Sequence, residues 1–364
     1  MKIMLVNSGG PGFAARYAFD INFALVNELK HNVRHVSPFK LSSAEINKVA
    51  PDLLLVMHGT LTPLSIVRYA RRRGTTTVLW LVEDPYEIDQ HRGEMINSYD
   101  YVFTNEKAAL GEYKIRNIYY LPLGCNPLVH KRMTVPESYR SDLCFVGMGF
   151  RNRVRTLNAI APLLKSLDVK LIGNWHKWGE TLHPDLQRFV MPTVNDFFEV
   201  QKYYNGAKIN LNIHRDPVDP PYGNRAHIGA VSPNDRVFAL AGCGVFQLVD
   251  RTRPALWEYF EDGQEVVGFN SPGDLAQKIR YYLAHPQERE RIAQAAQRKA
   301  YNQHTFKHRL AEILRIIQGP VHSYLKAGRL MRHPGRSGSG SVAASSFSSR
   351  GRSFSSTTDA AFFG

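Results

Sequence analysis

The chain alternates between short runs of consecutive apolar residues and longer stretches in which apolar residues return every third or fourth position. Lys2–Asn7, Leu53–Met57, Thr75–Val82, Tyr101–Phe103 and Ile118–Leu121 are of the first kind. Runs of that length with little polar alternation predict strands buried on both faces, as in a parallel sheet. Between them, Tyr17, Ile21, Leu25 and Leu29 recur every fourth residue and share one helical face. A second helix is predicted between Pro63, tolerated in a first turn, and Gly74, which ends it. A third is predicted near Asn105–Tyr113. From Pro122 to Ser141 the pattern lapses into Pro, Gly, Asn and charges, the composition of a linker. It then restarts. Asp142–Val146, Val169–Ile172, Lys208–Ile213 and Val245–Val249 read as strands. Arg151–Leu167, a segment near Asp235–Ala241 and the region from Asp274 to about Gln318 read as helices, with Ser271 as a cap and Pro272 at a first helical position. The expected fold class is α/β. Two parallel-sheet domains, residues 1–135 and 140–318, would each be covered by helices.

Composition narrows the class. The 364 residues are 43% hydrophobic and 21% charged, values of a globular chain long enough for two domains. No run approaches the ~20 apolar residues of a transmembrane helix. The first residues reach a Gly-rich turn too soon for a secretory signal. Cys125, Cys144 and Cys243 stand far apart without a Cys-x-x-Cys pair. That spacing points to a reducing compartment, the cytoplasm, and away from structural zinc. From Gly319 onward six Lys/Arg face one Asp, so +5 of the net +14 lies there and +9 remains on the body. Residues 333–364 are Ser, Gly and Ala with scattered Arg, a segment expected to be disordered. The cluster Arg71-Arg-Arg73 reads as a helix's last turn, where cations complement the dipole.

The turns that follow the strands carry the candidate chemistry. In open parallel sheets a ligand sits beyond the carboxyl ends of the strands, where Gly turns admit it to backbone N–H groups. That rule selects Gly9, Gly10 and His58 in the first half, and Gly147, Gly149, Gly173, Asn174 and His214 in the second. Arg151, Arg153 and Arg155 follow the Gly147-Met-Gly149 turn at a helix start. Cations there oppose the helix dipole unless an anion offsets them; the alternative is that they extend into solvent. No G-x-G-x-x-G, Walker P-loop, G-x-S-x-G or His-Glu-x-x-His pattern is present. A nicotinamide enzyme would also want an acidic ribose partner about twenty residues after the turn, where only Asp168 is offered.

The runs Val78-Leu-Trp-Leu-Val-Glu-Asp-Pro85, Ser98-Tyr-Asp-Tyr-Val-Phe-Thr-Asn105 and Tyr120-Leu-Pro-Leu-Gly124 resemble the N-terminal domain of the CgeB-type, spore-maturation-like glycosyltransferases. Leu143-Cys-Phe-Val-Gly147, Asn234-Asp-Arg-Val-Phe238, Ala241-Gly-Cys-Gly244, Gly263-Gln-Glu265 and His304-Thr-Phe-Lys-His-Arg309 resemble their C-terminal domain. The resemblance spans roughly residues 1–315. It implies a GT-B fold of two Rossmann-like domains facing a cleft, with a nucleoside-diphosphate sugar held mainly by the second. It also implies transfer to an acceptor hydroxyl on a glycan, protein or anionic polymer, with retention and with neither metal nor other cofactor.

Carried over residue by residue, the resemblance assigns Arg153 and Arg236 to the diphosphate, beside Arg151, Gly147 and Gly149. Gly242 and Gly244 would let backbone approach the donor, next to Asn174, Asn212 and His214. His58 and Asp84 would face the acceptor. Trp175 and Trp178 are candidates to stack on a base or simply to pack. One position departs from the family: Ala239 stands where related enzymes carry Glu. Donor hydroxyls would then need Asn234 or Glu265. Alternatively, the chain is a catalytically silent shell that binds nucleotides or glycans.

Overall fold

The computed structural model describes residues 1–10, 13–177, 180–218 and 223–319. The predicted tail and Trp178 lie outside the described residues. Among them, twelve strands form two six-stranded, wholly parallel sheets. The first holds β1 (Lys2–Val6), β2 (Asn32–Val36), β3 (Leu53–Met57), β4 (Thr76–Leu81), β5 (Tyr101–Thr104) and β6 (Ile118–Tyr120), in the order β2-β1-β3-β4-β5-β6. The second holds β7 (Ser141–Val146), β8 (Val169–Ile172), β9 (Val190–Met191), β10 (Ala207–Asn212), β11 (Gln247–Asp250) and β12 (Val267–Phe269), in the order β12-β11-β10-β7-β8-β9. Strand order reverses beside β1 in the first sheet and beside β7 in the second, which opens a crevice at each place.

The uninterrupted apolar runs have a direct cause. Ile3, Leu5, Leu55 and Trp80 enter a core on one face of the first sheet, while Met4, Val6, Leu54 and Leu79 enter another on the opposite face. Both faces are covered, so alternation between polar and apolar residues has no place in these strands. The second sheet repeats the arrangement, with Phe145 and Leu171 on one side and Cys144 and Ile172 on the other.

The helices near the end of the chain require a correction. Residues up to 318 were assigned to the second domain. The helix Phe306–Ile317 instead inserts Phe306, Leu310, Ile313 and Ile317 into the core of the first, against Ile3, Leu5 and Trp80. Its entry is fixed beside the outgoing linker: Cys125 bridges Thr305, and the Phe306 N–H donates to the Cys125 carbonyl at 2.9 Å. Burial of each such apolar side chain contributes about 1.5–3 kcal/mol. The helix therefore belongs energetically to the first lobe. Further polar ties cross the cleft. Arg16 pairs with Asp235 of the other lobe, and the Glu106 carboxylate accepts from the Val231 and Ser232 N–H groups at 3.0 and 3.1 Å.

The predicted long helix over Arg151–Leu167 is two shorter ones, Arg151–Ala159 and Ala161–Leu164. The predicted helix near Asn105–Tyr113 is a 3-10 segment, Lys107–Glu112.

Candidate active site between the two lobes

The crevices of the two sheets face each other and merge into one cleft enclosing about 1160 Å³, its open mouth included. Ser8, Arg16, His58, Glu83 and Tyr86 contribute to the wall from the first lobe. Gly147, Arg153, His214, Arg215, Asn234 and Arg236 contribute from the second. Gly147 follows β7 and His214 follows β10, the two strands at the reversal of order. The topology thus brings them together although 67 positions separate them (147 to 214). Gly173 is required just behind them. It sits at φ +140°, and a Cβ there would lie 2.1 Å from the Gly147 carbonyl oxygen.

Three guanidiniums share the second-lobe wall. Arg153 is 3% exposed, donates through Nε to the Ile213 carbonyl at 2.8 Å and lies over the Phe145 and Phe150 rings. Arg236 reaches the Asn212 Oδ1 at 3.3 Å and also lies over Phe145. Arg215 lies between the Tyr86 and Phe150 rings, at 4.5 Å from each centroid. Among the described residues none of the three makes a salt bridge, and Nε of both Arg215 and Arg236 is buried without a hydrogen-bond partner. Burial, and then the nearby Arg236 cation, pull Arg153 well below the usual guanidinium range. Clustered cations with buried, unused donors form a preorganised anion site.

Behind the cations, the helix Asp235–Cys243 points its N-terminus at the cleft. Asn234 caps it by accepting from the Val237 N–H at 3.2 Å, and the Asn234 and Asn212 amides bond each other. His214 shares the Asp250 carboxylate through Nδ1 at 3.0 Å, and its Nε2 is buried without a partner. Burial would raise Asp250, but His214 holds it well below the carboxylate range; burial lowers His214 in spite of that partner.

On the opposite wall, Glu83 and Asp84 stand together in the turn that follows β4, in different surroundings. Asp84 is 1% exposed and its oxygens are taken by His91 at 2.8 Å, Thr104 at 2.6 Å and Tyr113 at 2.8 Å. Both residues border the cleft, but the Asp84 carboxylate is already committed to these three side chains, so an acceptor would have to displace one of them to meet it. Glu83, which sequence reasoning passed over, lines the cleft, where burial and the adjacent Glu87 carboxylate push it up to about 8. His58 does line the cleft, paired through Nε2 with Glu87 at 3.1 Å.

Several other expected residues sit elsewhere. Gly242 packs against His130 and Cys125, and Gly244 at φ +65° closes its helix in the left-handed conformation against Gln297. Their roles are helix packing and C-capping rather than donor contact. Glu265 accepts from the Glu261 N–H at 2.9 Å in a loop outside the cleft. Arg155 turns outward to Glu180, the solvent-facing alternative, while Arg151 lies half-buried beside the cleft rim. Gly149 packs on Trp175, and Asn174 is exposed and stabilises its own turn by accepting from the His176 N–H. Trp175 is fully buried against Phe145, a packing role. Gly9 donates to Asn7 Oδ1 at 3.0 Å, and its neighbour Ser8, rather than Gly9 or Gly10, lines the cleft. Arg215 was missed although it directly follows His214; a cation immediately past a strand end at the order reversal was the available signal.

Two Rossmann-like lobes closed over a shared cleft, with the last helix returned to the first lobe, define a GT-B fold. Solved structures bear this out. An alpha-glucosyltransferase in complex with UDP and a 13-mer DNA superimposes with a TM-score of 0.62 at 10% identity, over 88% of this chain and 100% of that one. Anabaena HepE in complex with UDP and glucose superimposes with a TM-score of 0.58 at 15% identity, over 86% and 99%. Residues 152–315 match the glycosyl transferase-like family model. The chain is 27% identical over 317 residues to the spore protein CgeB of Bacillus subtilis (strain 168), covering 84% of this chain and 95% of that protein. The chain is thus similar to CgeB over most of its length, its second lobe resembles the glycosyl transferase-like family, and its fold is GT-B. No helix among the described residues is long and apolar enough to cross a membrane.

Proposed function

We propose that the protein transfers a sugar from a nucleoside-diphosphate donor to an acceptor hydroxyl, with retention at the anomeric carbon. The observation that carries this reading is the group of Arg153, Arg215 and Arg236 beside a helix N-terminus, three cations that make no salt bridge among the described residues. Loss of a nucleoside diphosphate builds negative charge on the departing phosphate. Fixed guanidiniums and helix N–H groups stabilise that charge without a metal ion at the phosphates. UDP in complexes of the structural neighbours supports a donor of this class. The matched family segment, 152–315, supports placing the donor on the second lobe.

Across the cleft, Glu83 carries its proton near neutrality and faces the space an acceptor hydroxyl would enter, beside His58. A carboxyl in that state can exchange a proton with a bound hydroxyl. The missing Glu at Ala239 leaves donor hydroxyls to Asn234, which lines the cleft as Glu265 does not.

The test is a titration with UDP, GDP, ADP and dTDP followed by thermal unfolding. A ligand at 100 times its Kd should stabilise by about 2.7 kcal/mol. Absence of a shift with all four overturns the reading. Ala239, 1% exposed and bearing no polar group, favours a second reading, a shell that binds nucleotide without turnover. Release of free nucleotide from a nucleotide sugar separates the two: turnover eliminates the silent shell, and binding without turnover selects it.

A further inference from the structure

At the first-lobe wall, starting from His58, lies a group of side chains to which the transfer reading gives no chemical step. His58 follows β3, and Glu87 and His91 stand four residues apart after β4, a spacing that places both on one side of a helical turn. One ligand-capable atom from each of His58, Glu87 and His91 lies within 4.8 Å of the others. His58 Nε2 and the Glu87 carboxylate are already 3.1 Å apart. Ligands held at ~2.0–2.2 Å around a tetrahedral zinc are about 3.4 Å from one another, so the set needs only a modest contraction.

We propose that His58, Glu87 and His91 form a binding site for one divalent transition-metal cation of the zinc type. This goes beyond the sugar-transfer reading and does not depend on it.

Three independent features support the site. His91 is fully buried, and its Nδ1 is occupied by Asp84 at 2.8 Å, while its Nε2 is buried with no hydrogen-bond partner. A buried imidazole nitrogen left unused is costly unless something occupies it. A carboxylate behind a ligating histidine, which fixes the tautomer and orients the ring, is the usual second partner in zinc sites. Here Asp84 has that position and is itself immobilised by Thr104 and Tyr113. His58 adopts φ +63°, a left-handed backbone that a non-glycine residue rarely holds without a reason. Its N–H donates to the Trp80 carbonyl at 2.8 Å, which keeps the side chain aligned with Glu87. Charge also balances, since Glu87 and Asp84 together offset a divalent ion. Two nitrogen ligands and one oxygen suit zinc or cobalt better than magnesium or calcium. Three protein ligands leave a fourth position open.

The experiment uses the full chain, free of any histidine tag, stripped with a chelator and dialysed. Zinc is then measured after re-addition, and Co²⁺ is titrated while its visible absorption is followed. One equivalent per chain and the intense bands of four-coordinate cobalt are expected. His91→Gln and Glu87→Gln should abolish both. Asp84→Asn should weaken affinity by about 10–100-fold. No stoichiometric binding to the wild-type chain overturns the proposal, as does an unchanged cobalt spectrum in a folded His91→Gln protein. Should those variants fail to fold, X-ray absorption on the zinc-loaded wild type decides instead. Two imidazoles with one carboxylate support the site, and any sulfur ligand or a shell without imidazole refutes it. All of these measurements are made without nucleotide or sugar, so they stand whether or not transfer activity is found.

Discussion

In the turn just past β4 two successive carboxyls meet different surroundings. Both border the cleft, but the Asp84 carboxylate is taken up by four hydroxyl and imidazole contacts. Glu83→Gln keeps the shape and a hydrogen-bond donor but cannot exchange a proton. It is expected to lower kcat by about 100-fold or more while leaving nucleotide affinity within a factor of two, as read by steady-state kinetics beside calorimetry. On the other wall, Arg236→Ala removes a charged donor worth about 1.5–3 kcal/mol to a bound diphosphate, a loss of roughly 10–150-fold in affinity. The same change relieves Arg153 of a like charge. The free protein should therefore unfold at the same temperature or higher, a divergence between stability and binding that calorimetry and thermal unfolding would register together. The sequence indicated a charged strand end here. It could not indicate which of the two adjacent acids is taken up by side-chain partners, since His91, Thr104 and Tyr113 come to Asp84 from elsewhere in the chain.

The elements with the most one-sided chemistry were the most legible. Leu53–Met57 and Val169–Ile172 were read to the residue, and β4 to within one residue at each end, because only burial on both faces accommodates such runs. β2 escaped notice. It is an edge strand whose Asn32, Arg34 and His35 are exposed, so its pattern matches neither template. Gly242 and Gly244 were misassigned because Gly-rich turns after helices and after strands look alike in sequence. What separates them is a left-handed glycine closing a helix, which the nine preceding helical residues could have suggested. Gly173 is the opposite case, a strand-end glycine with no room to spare. Gly173→Ala would drive its methyl group into the Gly147 carbonyl and strain a backbone at positive φ. A loss of at least 1–3 kcal/mol, typical of overpacking, is expected in denaturant unfolding. A change of less than about 0.5 kcal/mol would show that the β7 and β8 turns are not in contact in solution.

Across the whole molecule, the join between lobes is built from neutral imidazoles. His130 accepts the Asn126 N–H on Nδ1 at 2.9 Å, and burial, followed by the Arg16 charge, lowers it to about 3. His304 is lowered to about 4 by burial and then by Arg309. Both folded values lie below the unfolded 6.5, so this stabilisation is complete above about pH 6.5 and is lost as pH falls toward 4 and 3. By pH 5 the loss at His130 alone is on the order of 2 kcal/mol. Thermal unfolding between pH 7.5 and 5 should show it, and His130→Asn should flatten the dependence; a parallel decline in wild type and variant would assign acid sensitivity to other groups. The doubled sheet was legible in the sequence because it is written in local runs. The return of Phe306–Ile317 to the first lobe was not, since an amphipathic helix states that it needs an apolar neighbour without stating which one. That return has a consequence for how the protein is made. The first sheet is complete in the nascent polypeptide once Tyr120 has emerged, yet the part of one apolar face that Phe306–Ile317 covers beside Tyr17, Ile21 and Leu25 stays open until translation has passed Ile317. Throughout that interval the unfinished lobe leaves apolar surface around Trp80 open beside the ribosome, a longer exposure than a lobe closed by its own early helices would have.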